Sequence, residues 1–141
     1  MQGVFVTVYG RSKTGKSTCT GAAGAAGLFI ADGGGLLPLR SFLGIESVNT
    51  VAAHNVQEAA ELIEKHASPE LKTIVVDDFS LLVERTIGQL EKTHSFGDMW
   101  RALRAQVLRC RDAARTATEK GTTIIFNCHE SPPKVSSGKA V

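Results

Sequence analysis

The segment Gly3-Val-Phe-Val-Thr-Val-Tyr9, running on into Gly10-Arg-Ser-Lys-Thr-Gly-Lys-Ser17, decides the fold. Its first half is β-branched and apolar and stops at a glycine, the pattern of a short buried strand. Its second half sets Gly10, Gly15, Lys16 and Ser17 at the spacing G-x-x-x-x-G-K-S. The small residues from Thr18 to Gly27 then suit a short helix packed closely on a sheet, weak by propensity because of its three glycines.

A strand, a glycine loop and a helix start in that order make a phosphate cradle. Glycines let the backbone wrap round an anion, and successive N–H groups converge on it at the helix N-terminus. The candidate cradle is Gly10, Arg11, Ser12, Lys13, Thr14, Gly15, Lys16, Ser17 and Thr18. Lys16 is expected to reach the β- and γ-phosphates and the Ser17 hydroxyl to ligate Mg²⁺. Arg11 and Lys13 add positive charge, with Lys13 facing either phosphate or solvent.

Outward from this loop, the chain reads as strands alternating with helices. Leu28–Ala31 is a second strand ended by Asp32 and three glycines, and residues 47–52 a third. Asn55 caps a helix over residues 56–66, with Glu58 in a capping-box position. Thr73–Asp77 is a central strand, residues 80–92 a helix, and residues 98–120 a long amphipathic helix stopped by Gly121. Thr122–Asn127 is the last strand. The alternation predicts an α/β fold with a doubly wound, mainly parallel sheet and right-handed crossovers.

The whole-chain composition agrees. The 141 residues suit one domain, with 43% apolar and 21% charged residues and a net charge of +2. No apolar run approaches a membrane span, and no secretory leader opens the chain, so it reads as soluble and cytoplasmic. Cys19, Cys110 and Cys128 are an odd number without C-x-x-C spacing, which argues against a disulfide scaffold or a zinc site.

A phosphate cradle that works with Mg²⁺ also needs a carboxylate, and Asp77 closes a strand of four β-formers. In such sheets the strand C-termini converge on the ligand crevice, which brings Asp77 toward Ser17 as the second metal residue. Asp78 is either the base that orients an attacking water or the cap of the next helix. Asp32 is a rival base candidate or a turn residue. Asn127 and His129, at the end of the last strand, are candidates for contact with a γ-phosphate, or plain strand-end residues.

The long helix divides into two arcs. Phe96, just before the start, and Met99, Trp100, Leu103, Val107, Cys110, Ala114 and Ala117 make an apolar arc, expected to pack on the sheet, with Gln106 at its edge and Trp100 alternatively a base-stacking platform. Arg101, Arg104, Arg111 and Arg115 share a second arc about 80° wide. That arc reads as a solvated face, as a subunit interface, or as a track for nucleic-acid phosphates.

With these residues assembled, the chain resembles the RecA-like branch of the additional-strand P-loop ATPases. It is similar to the short phage-encoded members linked to recombination and single-strand annealing. The resemblance rests on Gly10–Ser17, Phe29–Gly34, Val75–Asp78 and Ile125–Glu130. It implies a sheet in which the last strand lies between the P-loop strand and the Thr73–Asp77 strand. It implies ATP and Mg²⁺ as cofactors, with Lys16, Asp78 or Asp32, and His129 in catalysis, and assembly into a ring or filament.

It also implies single-stranded DNA as a partner, with Lys134 and Lys139 placed to meet it. A further strand or hairpin is expected beyond residue 130. Residues 1–130 are thus expected to form the ATPase core, and residues 131–141 a mobile tail that begins a loop and closing strands lying beyond this chain. A small P-loop kinase and a non-hydrolysing nucleotide-dependent assembly switch are the alternative activities. No Asn-Lys-x-Asp guanine signature occurs.

Overall fold

A computed structural model of the chain describes residues 2–10, 27–31 and 49–129, with the backbone of 135–136 and 139–140. The main sheet comprises β1 (Phe5–Gly10), β2 (Leu28–Ala31), β3 (Asn49–Ala52), β4 (Thr73–Asp77) and β5 (Thr123–His129). Neighbouring strands are parallel, in the order β1-β5-β4-β2-β3. The helices are α1 (Val56–His66), α2 (Phe79–Glu91) and α3 (Phe96–Glu119). Two short strands, β6 (Val135–Ser136) and β7 (Lys139–Ala140), pair antiparallel in a separate sheet. The expected helix after Ser17 lies outside the described residues.

Register decides which side chains share a face. Phe5, Ile124, Ile74 and Leu28 lie side by side across four strands, and Phe126, Val76 and Ile30 repeat the row one pleat along. This face meets Val56, Ala59, Ala60 and Ile63 of α1, Leu82 of α2, and Cys110, Ala113, Ala114 and Ala117 of α3 in one core. Each aliphatic side chain taken wholly out of water there contributes about 1.5–3 kcal/mol. Val8, Ile125, Val75 and Phe29 form a second cluster on the opposite face, to which none of the three helices contributes.

Local chemistry explains the element ends. Asn55 caps α1 by accepting the Glu58 N–H at 2.8 Å. Glu58 reaches back one residue further than a capping box requires, accepting the His54 N–H at 2.6 Å. The next free amide of α1, on Val56, donates to the buried Thr86 hydroxyl of α2, which in turn donates to the Leu82 carbonyl. The start of α1 is therefore tied to α2 through a side chain with its donor and acceptor capacity both in use.

At the far end of α3, the Gly121 N–H donates to the Thr118 carbonyl and the Thr122 N–H to that of Ala117. With Gly121 at φ 100° this is a Schellman cap, the conformation for which glycine is selected. Gly3 passes so close to the Thr122 carbonyl that a β-carbon would lie 2.2 Å from it, while its own N–H donates to Thr118 at 2.8 Å.

Several features differ from the sequence reading: α2 and α3 begin earlier than expected, at Phe79 instead of residue 80 and at Phe96 instead of residue 98. Strand β5 runs on through Cys128 and His129, because the ladder to β1 continues to Tyr9 and Gly10. The apolar arc of α3 is not buried throughout: Met99, Leu103, Cys110, Ala114 and Ala117 are, but Phe96 is 77% and Trp100 45% exposed. Met99 and Leu103 pack on Leu90 of α2, in a cluster to which no described strand contributes.

Candidate functional site

Four of the singled-out residues meet at the C-terminal ends of β1, β4 and β5. Gly10 closes β1 and pairs in register with His129, while Val8 pairs with Asn127. Asp77 closes β4 and pairs with Ala31, the last residue of β2. The rung Val76–Phe126 sets Asp77 next to Asn127 one step further on. Side chains alternate along a strand, so Asp77 shares the face of Val75, and Asn127 that of Ile125. Both therefore lie on the face away from the three helices, and both are buried, Asp77 at 7% exposure and Asn127 at 0%.

Asp78 has a different environment. The Asp77–Asp78 peptide is cis, and Asp78 is the N-cap of α2, its Oδ1 accepting the Ser80 N–H at 3.0 Å. Its other oxygen lies 3.9 Å from His129 Nδ1, and both side chains are about one-third exposed, at 29% and 36%. Ser80, which the sequence reading did not single out, accepts the His129 backbone N–H on its hydroxyl at 2.8 Å. A serine in a first helical turn carries no signal that it will hold a neighbouring strand, so only the fold identifies it. Together Asp78, Ser80 and His129 clamp the end of β5 to the start of α2.

Arg11, Ser12, Lys13, Thr14, Gly15, Lys16, Ser17 and Thr18 lie outside the described residues, and so does Asp32, one residue past the end of β2. A groove of about 580 Å³ runs along the α1–α3 seam on the opposite, helical face, with Ala105, Arg109 and Thr116 in its wall. Arg109 there holds Glu64 at 3.1 Å, which raises the guanidinium above its ordinary value. Cys110 beneath it is pushed up to about 12 by burial, so it stays a protonated thiol at neutral pH.

No family model matches the chain, and no curated protein matches it. Among solved structures it is similar to the pCW3 conjugation coupling protein TcpA, in a monomer form with ATPgS, at 14% identity and a TM-score of 0.43. That likeness covers 91% of this chain and 42% of that one, so the chain spans less than half of its neighbour's length. Among the described residues no helix is long and apolar enough to cross a membrane. The chain is an α/β protein whose mainly parallel sheet gathers Gly10, Asp77, Asn127 and His129 at its strand C-termini.

Proposed function

We propose that the chain is a Mg-ATP-binding P-loop ATPase of RecA-like type, working as an oligomer and coupling ATP hydrolysis to engagement of single-stranded DNA. The strand order carries this reading: β5 sits between the Gly10 strand and the Asp77 strand, the arrangement of the additional-strand class. Crossover handedness supports it. The connections β3–α1–β4 and β4–α2–α3–β5 travel one way across the sheet and lie on one face. The β1–β2 connection, which carries Lys16 and Ser17, travels the other way. A right-handed crossover in that direction would lie on the opposite face, the one bearing Asp77 and Asn127.

Among the described residues, Asp77 fits the metal that the motif calls for. A buried carboxylate at a strand end is a hard oxygen donor suited to Mg²⁺ or its water shell. When bound, Mg²⁺ supplies charge neutralisation between the phosphates. Lys16 would hold the β- and γ-phosphates, Ser17 and Asp77 would hold the metal, and the backbone from Gly10 to Thr18 would cradle the phosphates. Asp78 or Asp32 orients the water. The Asp78 oxygen that would do that work is Oδ2, 3.9 Å from His129 Nδ1, since Oδ1 serves the helix cap. Asn127 and His129 stand at the γ-phosphate end, and Ser80 keeps His129 at a fixed height in the crevice.

Hydrolysis of Mg-ATP with and without single-stranded DNA, in wild type and Lys16→Ala, tests the reading. The expected result is DNA-stimulated release of phosphate that falls by about 10²-fold or more in the variant, the scale for removing one preorganised charge. Transfer of the phosphate to a small acceptor would make the chain a kinase. Binding without turnover would make it a switch.

A further inference from the structure

Phe96 and Trp100 stand on the first turns of α3 with their rings edge to face, centroids 5.9 Å apart and planes at 82°. Exposed as they are, they are the only large aromatics besides Tyr9 that the described surface leaves in water. At about 100° per residue, Trp100, Arg104, Arg111 and Arg115 fall within an arc of about 60°, with Phe96 about 40° outside it on the Trp100 side. This row covers about 28 Å of helix at 1.5 Å per residue. Arg109, on the opposite flank of α3, is engaged by Glu64 and Glu61 of α1, so the row points away from α1.

The row is available for a partner. Among the described residues Arg104 and Arg115 form no ion pair, and Arg111 meets only the adjacent Asp112, at 3.1 Å on the surface. Asp98 pairs with Arg101 at 3.7 Å and lies about 160° round the helix from Trp100, while Asp112 and Glu119, beside the Arg115 end, dilute the row only in part. The end of α3 contacts Gly3, before β1, so its aromatic start lies toward the strand C-termini where Asp77 and His129 gather.

We infer that this row is a docking surface for single-stranded DNA, with bases stacking on Trp100 and Phe96 and phosphates meeting Arg104, Arg111 and Arg115. Exposed aromatic faces in line with arginines match the alternating apolar and anionic parts of an unpaired strand, whereas an acidic peptide would need only the arginines. The inference deepens the reading above, on which it rests for DNA as the partner, by naming the surface that touches it.

Trp100 is the one tryptophan of the chain, so its emission reports this site alone. The test titrates an oligodeoxythymidylate of about 20 nucleotides into the nucleotide-free protein, in wild type and Lys16→Ala. Both proteins are expected to bind with quenching of Trp100. A fluorescein-labelled copy of the same oligomer, followed by anisotropy, is expected to bind Arg104→Glu/Arg111→Glu at least about 10-fold more weakly. The salt slope of log K should fall by about 0.7 for each phosphate that the variant no longer neutralises. Trp100→Phe should bind nearly as wild type and Trp100→Ala more weakly, with unchanged circular dichroism in each.

Binding that leaves Trp100 emission unchanged, or no binding at all, would overturn the inference. So would equal quenching by polyglutamate, which would assign the surface to an acidic protein, or tighter binding of oligouridylate, which would assign it to RNA. Because the titration needs no ATP, its failure is separate from a failure of hydrolysis.

Discussion

Two adjacent aspartates show how one residue type takes two roles. Asp77 ends β4 on the pleat that points away from the helices, and Asp78, one residue on, turns to cap α2. Sequence alone leaves both open, because alternation assigns faces only once the strand's exact end is known. Substitution separates the roles. Asp78→Ala should lower stability by about 1 kcal/mol through loss of the cap, whereas Asp78→Asn keeps a capping oxygen and should cost only a few tenths, read by urea unfolding. If Asp78 is the base, Asp78→Asn should also abolish hydrolysis in a fully stable protein. If Asp32 is the base, it should leave most of the rate.

Elements that advertise themselves by period and caps were legible. Helix α1 has the bounds its Asn55 cap and apolar spacing predict, and β4 ends at Asp77 as read. Less legible were ends decided by distant partners. Two more residues of β5 join the sheet because β1 is long enough to receive them, and Phe96 and Trp100 stay in water because the start of α3 turns Met99 and Leu103, rather than these two, onto Leu90 of α2. The end of α3 was legible for a physical reason, the left-handed residue its cap requires. Gly121→Ala should cost about 1–2 kcal/mol, measured as a lowered thermal midpoint, while Gly88→Ala, mid-helix with open space at its β-carbon, should be neutral or stabilising.

At the scale of the whole molecule, the glycine loop is read in sequence alone, and the sheet order sets its first residue, Gly10, beside His129 at the strand C-termini. Alternating strands and helices predict a parallel α/β sheet, but not which strand inserts beside β1. That order came from the family resemblance, and the β1-β5-β4 ladder agrees with it. The candidate site was legible as residue types and only partly as a constellation: Gly10, Asp77, Asn127 and His129 come together, while Ser80 enters through a contact 49 residues away in sequence.

The most direct measurement of whether that crevice holds Mg-ATP is ligand-induced stabilisation. A non-hydrolysable ATP analogue with Mg²⁺ at about 100 times its dissociation constant should raise the unfolding free energy by about 2.7 kcal/mol. The gain should vanish in Lys16→Ala, and in Asp77→Asn it should lose its dependence on Mg²⁺. An equal gain in Lys16→Ala, or none in the wild type, would contradict an ATP site at these strand ends.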